Sequence, residues 1–161
     1  MGGAAGDQGI QAKVAQFVST TNNKLDAKGR VSIPAPFRQI LAAQNMQGVY
    51  VLQSFVSPAL DGFGEDLINE FAQLLTPLDP FFSADHDMRA QVVLAAARLL
   101  GMDDEGRVRL PDEFIAHAGI RERVTFVGMG RKFQIWNPDT FAPIERERIA
   151  RARASYAGGP G

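Results

Sequence analysis

Two stretches of the chain alternate strictly between polar and apolar positions. In Arg30-Val31-Ser32-Ile33 and in Arg107-Val108-Arg109-Leu110, every second residue is Val, Ile or Leu. Successive side chains of a strand point to opposite faces, so each stretch predicts a strand with one apolar face and one face bearing arginine. Pro34 and Pro111 follow and suit the first position of a helix. They predict short helices over Ala35–Ala43 and Asp112–Ala118, the second closed by Gly119. Strands are also predicted over 124–127 and 132–136, around a turn at Gly128-Met129-Gly130-Arg131. Over 65–75 the residues Leu67, Ile68, Phe71, Leu74 and Leu75 fall on one helical stripe. Ser83 can cap a helix reaching about Leu100, with Asp85 and Asp87 at its positive end and Val92-Val93-Leu94 and Leu99-Leu100 buried. A last helix begins at Asn137-Pro138, a cap followed by proline, and runs to about Ala154 with Arg146, Arg148, Arg151 and Arg153 exposed. Residues 1–14 and the Gly-rich end of the chain offer little to bury and read as flexible tails.

The chain repeats itself. Leu25-Asp26-Ala27-Lys28-Gly29-Arg30-Val31-Ser32-Ile33-Pro34 recurs 77 residues later as Met102-Asp103-Asp104-Glu105-Gly106-Arg107-Val108-Arg109-Leu110-Pro111. Phe37 then falls on Phe114, and Val49-Tyr50-Val51-Leu52 on Val124-Thr125-Phe126-Val127 once the second loop is shortened by two residues. Asp at the first and Gly at the fourth position of Asp-x-x-Gly suit a type I turn, with Asp accepting backbone N–H groups and Gly left-handed. The expectation is a hairpin at each turn, bulged at Gly29 or Gly106. Each copy is too short for a core of its own, so the two should share one about a pseudo-twofold axis. The fold class expected is α+β: two tandem βαβ units plus additional helices.

At 161 residues, with 45% hydrophobic side chains and a formal net charge of −1, the composition is that of an ordinary globular domain. No cysteine is present, which excludes disulfides, thiolate metal sites and thiol nucleophiles. The N-terminal residues show no signal-peptide pattern and no apolar run is long enough to span a bilayer, so the expected location is cytoplasmic. Charge is segregated along the chain. The segments 22–38 and 121–132 each carry +3, while 61–87 carries seven acids and no Lys or Arg.

Candidate chemistry is sparse. The chain lacks the nucleophile elbow, the phosphate loop, the zinc-protease helix and the dinucleotide fingerprint. His86, between Asp85 and Asp87, fits a solvated helical turn better than a metal or acid–base site. His117 fits a helix end whose carbonyls it can approach. No enzyme activity, metal or cofactor is therefore expected.

The remaining constellation is Asp26/Arg30 and its copy Asp103/Arg107. An exposed Asp–Arg pair alone would do no more than order a turn. Duplication places two arginine faces symmetrically, which suits duplex DNA, where guanidinium groups meet guanine edges or phosphates. The copies differ: the first tip, Ala27-Lys28, is basic, and the second, Asp104-Glu105, acidic. On charge, Arg30 with Lys24 and Lys28 is the better DNA contact and Arg107 the weaker, and the acidic segment 61–87 should face away from DNA.

The motif Asn23-Lys24-Leu25-Asp26-Ala27-Lys28-Gly29-Arg30-Val31-Ser32-Ile33-Pro34, its Asp103-x-x-Gly106-Arg107 copy and the ending Phe126-Val127-Gly128 … Phe133-Gln134-Ile135-Trp136 resemble the MraZ family. These are bacterial transcriptional regulators at the head of the division and cell wall gene cluster. The resemblance runs from about Phe17 to Ala154. It implies a tandem AbrB-like, swapped-hairpin fold, with a first repeat over 15–80, a second over 81–154 and tails over 1–14 and 155–161. It further implies a ring-shaped homo-oligomer, an octamer, that is nucleoid-associated and represses its own operon by binding short direct repeats in double-stranded DNA. Carried over by position, the family's DNA-contacting motif falls on Asp26 and Arg30 and on Asp103 and Arg107, with Lys24, Lys28 and Arg109 beside it. The alternative is a protein-interaction module of the antitoxin-like swapped-hairpin type. Against it stand the presence of both copies in one chain and the short tails.

Overall fold

The computed structural model describes residues 15–157; the expected tail over 1–14 and residues 158–161 of the tail expected over 155–161 lie outside the described residues. Residues 155–157 are not tail but the end of the last helix, which runs past the expected Ala154 to Ala157. The elements in chain order are β1 (Thr20–Lys24), β2 (Arg30–Ser32), α1 (Ala35–Ala43), β3 (Gly48–Gln53), β4 (Leu60–Phe63), α2 (Glu65–Leu75) and α3 (Ala84–Arg89). The helix α3 runs on into a π-helical segment, Ala90–Ala95. There follow β5 (Arg98–Gly101), β6 (Arg107–Arg109), α4 (Asp112–Ala118), β7 (Arg123–Gly128), β8 (Phe133–Trp136) and α5 (Pro138–Ala157). The architecture is α+β, with an antiparallel six-stranded sheet in the order β1-β7-β8-β4-β3-β5 and a separate antiparallel ribbon of β2 and β6.

The pairing interleaves the two halves of the chain. β1 pairs with β7, and its counterpart β5 pairs with β3. In the ribbon Val31 stands opposite Val108, and at the centre of the sheet Asp61 stands opposite Gln134. The strands flanking each Asp-x-x-Gly turn therefore do not form the expected hairpin with each other. Only the turn itself closes locally, with Asp26 N–H donating to Arg30 O at 2.9 Å and Asp103 N–H to Arg107 O at 2.9 Å. A short strand gains more from a long partner in the other half, which buries its apolar face, than from its neighbour.

One face of the sheet is covered by the ribbon, α1 and α4, around a core of Phe17, Val31, Ile33, Phe37, Leu41, Val108, Leu110, Phe114, Phe126 and Phe133. Phe17, Phe37 and Phe133 meet with centroids 4.9–5.2 Å apart, near the range favoured by aromatic pairs. The other face carries Trp136 of β8 against Phe141 of α5, and α2 with the π-helical segment over Leu52 and Phe63. Across this face a buried polar chain links the halves. Trp136 Nε1 donates to Gln134 Oε1 at 2.9 Å, and Gln134 Nε2 donates to Asp61 Oδ1 at 2.9 Å. Lys132 Nζ lies 3.0 Å from the same Asp61 oxygen.

The helix expected from Ser83 to Leu100 is corrected in its extent and its burial. Ser83 does cap it, its side chain accepting from His86 N–H at 3.0 Å. The helix loosens into the π-helical segment and ends at Ala95, and Arg98–Gly101 is an edge strand on β3. Its apolar residues are not buried as expected: Val92 and Leu94 are exposed and Leu99 is 61% exposed. Pairing with an existing strand overrides the local helical preference of this segment.

Candidate nucleic-acid interface

Each Asp-x-x-Gly turn is built by the same few bonds. Asp26 Oδ1 accepts the backbone N–H of Lys28 at 2.9 Å and of Arg30 at 2.8 Å, while Oδ2 accepts Arg30 Nε at 2.7 Å. Asp103 Oδ1 likewise accepts the N–H groups of Glu105 and Arg107, each at 2.9 Å, and Oδ2 accepts Arg107 Nε at 2.9 Å. The fourth residues, Gly29 and Gly106, have φ of +79° and +76°, the left-handed backbone that glycine enters without strain. One carboxylate therefore both shapes the turn and aims the guanidinium. Donation from the backbone N–H of Arg30 holds the Asp26 carboxyl below the usual carboxylate range, and Arg107 N–H does the same for Asp103.

The ribbon gathers these arginines. Val31 and Val108 point into the core, so the flanking positions Arg30, Ser32, Arg107 and Arg109 share the outer face. Arg30 lies opposite Arg109, and Ser32 opposite Arg107. Lys28 is exposed at the first tip. Lys24 is placed differently: Asn23 turns toward the ribbon and donates to Ser32 O at 2.7 Å, so Lys24 points to the other face of β1, opposite Arg123. The outer face thus unites Asp26, Arg30, Asp103, Arg107 and Arg109, with Lys28 at the rim and Lys24 behind.

Further residues that the sequence did not single out bear on the site. Arg38 of α1 lies over Gly106, and its guanidinium donates to the Ile33 carbonyl. Its counterpart Ile115 lies over Gly29, with Cδ1 3.6 Å from where a Cβ would stand. Arg123 forms the cationic rung with Lys24, and the basic run 121–132 was its only signal. The acids of 61–87 begin on β4 with Asp61 on the face away from the ribbon and continue into α2 and α3. His117 does not make the helix-end contact expected of it at Nε2, which is enclosed without a hydrogen-bond partner among the described residues. Also among the described residues, no group of three or more His, Asp or Glu could hold a metal, and no helix is long and apolar enough to cross a membrane.

A family model described as "MraZ protein, putative antitoxin-like" matches residues 93–156. A transcriptional regulator MraZ from Beijerinckia indica is 45% identical over 138 residues, covering 86% of this chain and 84% of its own. One from Xanthobacter autotrophicus is 43% identical over 138 residues, covering 86% and 87%. A third, from Gluconobacter oxydans, is 43% identical over 146 residues, covering 88% and 86%.

Proposed function

The chain belongs to the MraZ family, and on that premise we propose that it is a transcriptional regulator that binds double-stranded DNA through the arginine face of the β2–β6 ribbon. The supporting observation is the paired turns, in each of which an aspartate accepts from the arginine Nε and so fixes the guanidinium on the ribbon's outer face. An arginine already oriented in this way loses less freedom when it meets a guanine edge or a phosphate. Arg30, set by Asp26, makes the principal contact, and Lys28 and Lys24 draw the phosphate backbone.

The fold is then a tandem AbrB-like unit with repeats over 15–80 and 81–154. The protein acts as a homo-oligomeric ring, an octamer, on short direct repeats ahead of its own division and cell wall operon, which it represses as a nucleoid-associated cytoplasmic protein. Self-association is supported by exposed apolar side chains along α2, α3 and the π-helical segment. Phe81 and Phe82, in the turn between α2 and α3, are 84% and 91% exposed, and Leu74, Met88, Val92 and Leu94 of the flanking segments are exposed as well, more apolar side chains than solvent favours. Several protomers on one array of DNA repeats multiply a weak single contact through effective concentration.

Fluorescence-anisotropy titration tests this, with the protein's own upstream duplex and a scrambled duplex at two salt concentrations, alongside Arg30→Ala. The expected result is a preference for the native duplex that Arg30→Ala reduces by about tenfold or more. Equal weak binding of both duplexes, unchanged by Arg30→Ala, would overturn the reading and bring the antitoxin-like protein-interaction module forward.

A further inference from the structure

The two turns share a backbone and differ in charge, and the difference falls the same way at three equivalent places. At the tips, Lys28 of the first turn is replaced by Glu105 in the second. The Glu105 carboxylate lies 3.6 Å from Arg107 Nη2, so Arg107 stands between Asp103 and Glu105. Across the ribbon, Arg30 faces a second cation, Arg109, whereas Arg107 faces Ser32. At the base of the first turn Lys24 faces Arg123, and the equivalent rung at the second is Gly101 facing Gly48. A Cβ on Gly48 would come within 2.6 Å of the Leu100 carbonyl oxygen, so that rung cannot carry the same pair of side chains. Among the described residues no ion pair joins Lys24, Lys28, Arg109 or Arg123 to a carboxylate. Arg38 does approach the second turn, but its guanidinium is turned inward to Ile33 O.

Like charges directly opposite one another in a ladder are unfavourable, so the Lys24–Arg123 rung costs the free protein stability that a polyanion would restore. Opposite Arg30, which Asp26 pairs, Arg109 adds a cation with no carboxylate partner among the described residues. At the second turn the situation is inverted. A phosphate approaching Arg107 must displace Glu105 and meet the field of Asp103, Asp104 and Glu105.

We propose that each protomer engages DNA with one end only: Arg30 and Arg109 form the contacting pair, Lys28, Lys24 and Arg123 surround it with positive charge, and Glu105 masks Arg107 so that the second turn stays off the duplex. The inference rests on the DNA-binding reading above. It has a consequence for the site recognised. A protomer using both turns about its internal twofold would match an inverted repeat, since two-fold symmetry in the reader is mirrored in the site. A protomer using one turn has a direction, and several of them side by side match sites repeated head to tail.

The test is anisotropy of the full chain against its own upstream duplex, with circular dichroism checking that each variant is folded. Arg30→Ala costs about tenfold or more, Arg109→Ser a few-fold, and Arg107→Ala less than about twofold. Glu105→Gln tightens binding several-fold, and adding Arg107→Ala to it removes that gain. If Arg107→Ala costs as much as Arg30→Ala, or if Glu105→Gln changes nothing, the one-ended mode is overturned while DNA binding stands. If the unmodified protein shows no preference for its upstream duplex, DNA reading itself fails, and this inference with it.

Discussion

Val31 and Val108 lie directly opposite each other in the ribbon, each 1% exposed, and they occupy the same place in the two copies of the repeated motif. A residue meeting its own repeat counterpart marks the point where the two halves cross. Removing two methyl groups from such a site leaves a cavity in the core. Val31→Ala and Val108→Ala should each destabilise the fold by about 2 kcal/mol, and the double variant by an amount differing from the sum, because the two side chains touch the same space. Urea denaturation measures this. Strict additivity would show that the two valines pack independently.

Asp61 and Gln134 meet in the same manner on the other face, and there the contact is polar. Gln134 uses its amide to satisfy Trp136 Nε1 and Asp61 at once, both in buried residues. Gln134→Leu leaves a buried N–H donor without an acceptor and a carboxylate with one bond fewer. The expected loss is about 2–4 kcal/mol, more than the volume change accounts for. Unfolding curves superimposable on those of the unmodified protein would show that water replaces both bonds.

Much of this was legible in the sequence, for identifiable reasons. The repeated Asp-x-x-Gly-Arg motif encodes its turn locally, through one carboxylate and one glycine, and both turns form as the residues dictate. Helices α1 and α4 follow their prolines to the expected residues. The strand β4 was hidden because it is only four residues long and its Asp61-Gly62 reads as a turn dipeptide, although all four residues are buried. β5 was hidden because Arg98-Leu99-Leu100 continues a helical pattern, and only pairing with β3 makes it a strand. Of the candidate site, the pairing of Asp26 with Arg30 and of Asp103 with Arg107 within their turns was legible. That Arg109 stands beside Arg30 depends on pairing between residues 79 positions apart, which no local pattern encodes.

Glycine is required at the two turns in different surroundings. At Gly29 a Cβ would find ordinary contacts, the nearest at 3.6 Å, so Gly29→Ala meets only the left-handed backbone strain, about 1–2 kcal/mol. At Gly106 the same strain is joined by a clash with the Arg38 side chain, which must leave the Ile33 carbonyl. Gly106→Ala should therefore be the more damaging in thermal unfolding, and Arg38→Ala should narrow the gap between them. Equal melting temperatures for the two glycine variants would show that the Arg38 contact contributes nothing.

The turn carboxylates set a pH dependence with a definite sign. Asp26 and Asp103 are both held below the ordinary value of 3.8, first by the backbone N–H of Arg30 or Arg107. A carboxyl lowered on folding contributes order that is complete above the unfolded value and is lost as pH falls through the lowered one. Amide exchange at Lys28, Arg30, Glu105 and Arg107 should therefore stay protected on descending to about pH 4, and protection should fail below it. Asp26→Ala should remove protection at Lys28 and Arg30 at every pH and leave the second turn unaffected. Protection lost well above pH 4 would mean that other groups hold the turns.

Salt dependence offers a count of engaged ends. Each phosphate neutralised by a cation releases a counterion, so the logarithm of affinity falls with the logarithm of salt by about 0.9 per contact. Lys28 is exposed at the tip of the first turn, and in one-ended binding each docked protomer presents one such lysine. Lys28→Ala should reduce the slope by close to one for every protomer on the duplex, so duplexes carrying one, two and three copies of the recognised repeat should lose slope in proportion. Lys24→Ala acts from the far face of β1 and should change the slope less. A slope unchanged by Lys28→Ala on all three duplexes would remove the first tip from the DNA, and the outer face of the ribbon could then not be the surface that meets the phosphates.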